Sequence, residues 1–154
     1  MRVTFLEAKN GLRLSKHYSL EKLFTPYPHV KAVSSHTHDV AVDLKGLTQL
    51  EQLIRDHGAL GHCMLKGDLK RDLVGESRAG HTNRTALSNL LVLDVDGVKL
   101  SKPLNTNKLS SADVMYLSNQ IIGELPQELQ NVSYIAQASS SLGLKGDKTS
   151  LHIF

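Results

Sequence analysis

The sequence predicts an α+β fold, a mixed or antiparallel central sheet with helices packed on it. Three observations lead there. The run Leu90-Leu91-Val92-Leu93-Asp94-Val95-Asp96-Gly97 reads as a strand. Two helical segments open on capping-box patterns at Thr48 and Ser110. Within the last residues, Thr149 to Phe154, Ser150-Leu151-His152-Ile153 alternate polar with apolar side chains. With 154 residues, 40% of them apolar and 21% charged, the chain suits one globular domain, residues 1–154, with a core of its own.

The bulk numbers also exclude function classes. A single cysteine, Cys63, rules out an internal disulfide framework and a cysteine-rich zinc site, and it suits a reducing, cytoplasmic setting. No apolar run is long enough to span a bilayer and the N-terminus lacks a signal-peptide pattern, so no membrane partner is expected. The net charge of +3 permits an anionic partner without demanding one.

In chain order, Arg2–Ala8 is the first expected strand, and Asn10-Gly11 a tight turn into Leu12–Leu14. Ser19 can cap a short helix through Phe24, which Pro26 and Pro28 stop. Val30–Val33 is a short extended piece, followed by His36, His38 and Asp39. A polar loop rich in Ser, Thr and His is the expectation there. On a strand the two imidazoles would share a face and could ligate zinc or a similar ion, although no third ligand follows at a recognisable spacing. Thr48 and Glu51 form a capping box for a helix striped by Leu50, Leu53 and Ile54 and ending at His57-Gly58. Leu60–Leu65 reads as a strand.

From Lys66 to Arg84 apolar periodicity disappears. Five basic residues (Lys66, Lys70, Arg71, Arg78, Arg84) stand against three acids (Asp68, Asp72, Glu76). A loop of this length inside a domain is commonly functional or mobile, and its arginines can hold phosphates in bidentate fashion. An ordinary solvated loop is the equal alternative.

Leu90–Gly97 then reads as a central strand covered on both faces. Strand period two puts Asp94 and Asp96 on one face, with Val95 opposite. Two neighbouring carboxylates repel and lose water, a cost that a divalent cation removes. Hard oxygen ligands suit Mg²⁺ or Mn²⁺, which also recruit substrate phosphates. Gly97 lets the backbone turn or approach a ligand closely. After a polar connection, Ser110 and Asp113 open a second helix, buried through Val114, Leu117, Ile121 and Ile122 and closed by Gly123 and Pro126. Ser133–Ala138 is a strand, and Ser139–Lys148 a hairpin turn tightest at Gly146-Asp147. In Thr149–Phe154, Ser150 and His152 share one face, with Leu151 and Ile153 on the other. A hydroxyl and an imidazole so placed can donate to phosphate oxygens. A purely structural histidine is the plainer reading of this pair alone.

Taken together, Asp94-Val95-Asp96 at a strand end and, beyond a helix and a Ser/Gly-rich hairpin, Ser150-Leu151-His152 resemble the first two motifs of the archaeo-eukaryotic primase superfamily, in its primase-polymerase branch of phages, plasmids and integrating elements. The resemblance runs from about Lys66 to the C-terminus, roughly half of the chain. It implies a primase-polymerase-like α+β domain of a mobile-element replication protein, a DNA primase or polymerase performing template-directed nucleotidyl transfer. It assigns Asp94 and Asp96 to catalytic Mg²⁺ or Mn²⁺ ions. His152 joins them as a catalytic residue and, with Ser150, meets the incoming nucleotide's phosphates. Arg71, Arg78 and Arg84 become contacts to triphosphate or template backbone. Nucleoside triphosphates and a nucleic acid template are the implied partners, with a helicase as a partner or fused domain. The family's third motif, a carboxylate on a later strand, finds no counterpart before Phe154, so the domain is expected to be incomplete at the C-terminus and inactive as this fragment.

Two other readings stay open. Asp94-Val95-Asp96-Gly97 also resembles the nucleophile motif of haloacid-dehalogenase-like phosphatases, which would make Asp94 a nucleophile and Asp96 a general acid, with Tyr134–Ser139 imitating the second motif. About ninety residues before the motif, and the lack of a later Asp pair, count against it. A non-catalytic nucleic-acid-binding domain is the third reading, disfavoured by 5% aromatic residues and no tryptophan for base stacking.

Overall fold

Arg2–Ala8 forms the expected strand, β1, and five of its residues (Val3, Thr4, Phe5, Leu6 and Ala8) are buried. The computed structural model describes residues 1–16, 26, 28–99, 109–139, 142 and 148–154. They fall into two compact units, Met1–Leu90 and Leu91–Phe154. The helix expected from Ser19 and the turn at Gly146-Asp147 lie outside the described residues.

In the first unit β1 is the central strand. It pairs antiparallel with β2 (Val33–Asp39) along its whole length, from Arg2↔Asp39 to Ala8↔Val33, and with β3 (Cys63–Met64) on its other side. The polar loop expected around His36 is therefore a strand. Seven ladder positions offered by β1 override weak local signals, and Ser, Thr and His fit a half-buried pleated surface. The expected strand over Leu60–Leu65 shrinks to Cys63–Met64, because Leu60 still belongs to the helix before it.

That helix, α1, spans Leu44–Leu60 and starts before the Thr48 capping box. Asp43, held extended, is the actual cap, its Oδ1 accepting from the Gly46 N–H at 2.7 Å. Thr48 sits inside the helix, its hydroxyl donating to the Leu44 carbonyl. The helix closes at Gly61, not Gly58. Gly46 is required by close approach, since a Cβ there would lie 1.8 Å from the Ala41 carbonyl oxygen. The segment from Lys66 to Arg84 is folded, not merely solvated. β4 (Asp68–Leu69) pairs with β5 (Thr82–Asn83), and Leu69 and Leu73 enter a core with Leu6, Ala8, Leu14, Val33 and Leu65. The Ser35 hydroxyl accepts from the Leu73 N–H, and Val33 bridges to Glu76. One face of the β1 sheet thus packs on this excursion. The other meets α1, where the Phe5 and His57 rings stack with centroids 4.0 Å apart.

The second unit holds a three-stranded sheet in the order β6 (Leu93–Lys99), β8 (Lys148–Ile153), β7 (Ala136–Ala138), both pairs antiparallel. This corrects the central, doubly covered strand expected over Leu90–Gly97. The strand begins at Leu93 and lies at the sheet edge, with Leu91 53% and Val98 48% exposed. The centre goes instead to β8, whose Leu151 and Ile153 are the buried apolar pair. α2 (Ser111–Gly123) matches its expected bounds, with Ser110 and Asp113 in a reciprocal capping box and Leu117, Ser118 and Ile122 buried. It packs against β7 and β8, and a one-turn α3 (Gln127–Gln130) follows. Among the described residues no helix is long and apolar enough to cross a membrane.

Candidate functional site

The acids and the imidazole singled out in the sequence meet on one face of the β6–β8 ladder. Asp94 pairs with His152 and Asp96 with Ser150. Directly opposed residues of an antiparallel pair project from the same face, so four side chains form a two-by-two block. His152 Nε2 lies 3.4 Å from Asp94 Oδ1. The His152 side chain is 34% and the Asp94 side chain 58% exposed, so the block opens to solvent while Ser150 is buried.

Two features extend this block. A bulge between Asp96 and Val98 places Gly97 at φ +83°, a conformation that favours glycine, and restores pairing as Val98↔Thr149 and Lys99↔Lys148. Gly97 is therefore a bulge residue and not a turn. The register then sets two lysines opposite each other, two ladder positions beyond Asp96–Ser150 and so, by strand period, on the face of Ser150 and His152. Like charges at one cross-strand position repel.

On the α2 side of the same ladder runs a groove of about 550 Å³, lined by Val95, Val98, Leu117, Ile121, Leu125 and Thr149 among others. The Thr149 hydroxyl is fully buried and lacks a hydrogen-bond partner among the described residues.

The arginines assigned to phosphate or template lie in the other unit. Arg71 there forms a bidentate pair with Glu76 at 2.5 and 2.6 Å, and this guanidinium holds the Glu76 carboxyl down at about 2. Arg78 and Arg84 are exposed.

A second constellation was read only in part from the sequence, which offered His36 and His38 on one strand face but no further ligand. His36 and His38 of β2, His57 of α1 and His62 beyond its cap converge with Glu7 of β1. His36 Nε2 lies 2.8 Å from Glu7 Oε2, His38 Nε2 2.9 Å from His57 Nε2, and His57 Nδ1 2.8 Å from His62 Nδ1. Burial, then the neighbouring His38, His62 and His36, lowers the His57 pKa to about 4, and burial also lowers that of His62. The missing third ligand was illegible because His57 and His62 come from a helix end about twenty residues away in sequence. The one sequence signal was the His36-Thr37-His38 spacing itself.

No family model, no curated protein and no solved structure matches this chain.

Proposed function

We propose that the second unit is a divalent-cation and nucleoside-triphosphate site of the nucleotidyltransferase kind, as its likeness to primase-polymerases implies. Asp94 and Asp96 hold Mg²⁺ or Mn²⁺, which bridges to the phosphates. Ser150 and His152 donate to phosphate oxygens, and Lys99 with Lys148 neutralises the far end of the triphosphate. The single observation that supports this reading is the register Asp94↔His152 and Asp96↔Ser150, which gathers residues more than fifty positions apart onto one face.

Each group has a physical task there. The cation lowers the cost of bringing a triphosphate against two carboxylates and offsets charge on the attacking hydroxyl and departing pyrophosphate when a nucleic acid template and primer are present. The protein positions and stabilises and does no covalent chemistry of its own.

Calorimetric titration of the chain with a deoxynucleoside triphosphate, with Mg²⁺ or Mn²⁺ and with EDTA, tests it. Binding is expected only with the cation and is expected to vanish in an Asp94→Asn/Asp96→Asn variant. Affinity indifferent to both changes would overturn the reading in favour of a non-catalytic binding domain. A phospho-aspartate trapped at Asp94 would overturn it in favour of a phosphatase.

A further inference from the structure

Four of the eight histidines in the chain gather on the α1 face of the β1 sheet. The face is otherwise apolar enough to stack Phe5 on His57. An imidazole-to-imidazole hydrogen bond needs an N–H on one ring and a bare nitrogen on the other, so in a chain of three neutral rings the tautomers are set together, in one direction or the other. His57 stands in the middle, with Nε2 toward His38 and Nδ1 toward His62. With Nδ1 of His62 engaged by His57, Nε2 is its remaining nitrogen for a ligand. At the other end Glu7 and His36 share a contact of 2.8 Å, and their side chains are 44% and 38% exposed. One donor atom each from Glu7, His36 and His62 lies within 4.8 Å of the others.

We propose that Glu7, His36 and His62 form a binding site for a divalent transition-metal ion of the zinc class. Two imidazoles and one carboxylate are the donor set that zinc accepts with a further position left for water or substrate. Ligand atoms bound about 2 Å from one ion at tetrahedral angles lie about 3.3 Å apart, so the three donor atoms, now within 4.8 Å of one another, draw closer on binding. The ion takes the place of the hydrogen between Glu7 and His36, and the neutral His36 ring meets it through Nε2 with its N–H on Nδ1. Solvent reaches the site through the half-exposed Glu7 and His36. Cys63, although next to His62, packs on the core of the opposite sheet face and stays out of the donor set.

His57 acts behind the ligands as a positioning residue. If the His62 Nδ1–H donates to His57, whose Nε2–H donates to His38, the Nε2 lone pair of His62 is kept for the metal. The reverse chain would protonate that nitrogen. Hydrogen-bonded groups behind metal ligands typically change affinity 10–100-fold when removed.

The test uses the full chain carrying Asp94→Asn and Asp96→Asn, so that those carboxylates do not compete for metal. Zn²⁺ is titrated by calorimetry at neutral pH and followed by ¹⁵N resonances of the imidazoles. The expected result is one tight Zn²⁺ per chain, with His36 and His62 nitrogens shifting together and His81 and His152 unmoved. Glu7→Gln and His62→Asn should each weaken binding at least ~10-fold, and His57→Asn about 10–100-fold. Glu7 is half exposed, so its variant serves even if a histidine replacement unfolds the chain. Zn²⁺ that leaves the His36 and His62 resonances in place, or binds equally to the Glu7→Gln variant, would overturn the proposal and leave the cluster a structural hydrogen-bond network.

Discussion

Asp94 and His152 occupy one cross-strand position of the β6–β8 ladder, with Oδ1 and Nε2 3.4 Å apart. Both side chains reach water, so their mutual attraction is worth little, on the order of 0–1 kcal/mol. Its importance lies in what the two can hold together. Replacing Asp94 by Asn in metal-free protein should shift stability by no more than about 0.5 kcal/mol. The same change should weaken manganese–triphosphate binding at least ~10-fold, one lost contact of about 1.4 kcal/mol. Paired thermal melts and titrations separate the two effects, and a stability loss with unchanged affinity would make the pair structural.

His152 is assigned to phosphate and not to base or sugar. A hydrogen bond to a charged group contributes roughly 1.5–3 kcal/mol, so His152→Ala should weaken triphosphate binding about 10–100-fold. Binding of the unphosphorylated nucleoside should stay as it is. Competition titrations with nucleoside, monophosphate and triphosphate read this directly. Equal losses across the three would remove His152 from the phosphates.

Thr149 carries a buried hydroxyl with no partner among the described residues, at the wall of the groove under α2. An unsatisfied buried polar group costs about 1–3 kcal/mol, and valine has the same shape without it. Thr149→Val is therefore expected to stabilise the protein by about 1 kcal/mol in chemical denaturation. A loss of stability would mean that the hydroxyl is satisfied in solution.

Glu76 is held ionised by Arg71, with its pKa near 2 instead of 4.5. A carboxyl with a depressed folded-state pKa stabilises the fold above its unfolded value, and that contribution fades as pH falls from about 4.5 toward 2. Arg71→Ala should raise the Glu76 titration midpoint toward 4.5, observable by carboxyl-resolved NMR, and make acid unfolding begin at higher pH. An unchanged midpoint would show that the pair does not form in solution.

Much of this was legible where local chemistry decides the outcome. The Ser110/Asp113 box, the alternation from Ser150 to Ile153 and the apolar β1 each carry their own signal. Strand period alone puts Asp94 with Asp96 and Ser150 with His152, while the β6–β8 register that joins the two pairs comes from the fold. What tertiary partners decide was not legible. β2 is a strand because β1 supplies its ladder, and Leu93–Lys99 is an edge because Leu151 and Ile153 take the buried centre. Leu65, Leu69 and Leu73 recur every fourth residue, a helical spacing, yet they enter the core from a non-helical excursion, so the spacing did not show how they pack. Asp43 displaced Thr48 as the cap because its carboxylate accepts from the Gly46 N–H three residues on.

The most direct test of the shared face is paramagnetic. Mn²⁺ added in small steps with a deoxynucleoside triphosphate should broaden the NMR signals of Asp94, Asp96, Ser150 and His152 first and together, and addition of EDTA should restore them. Broadening that spares His152 while reaching the aspartates, or that appears first elsewhere in Leu91–Phe154, would contradict a single cation–triphosphate site on that ladder.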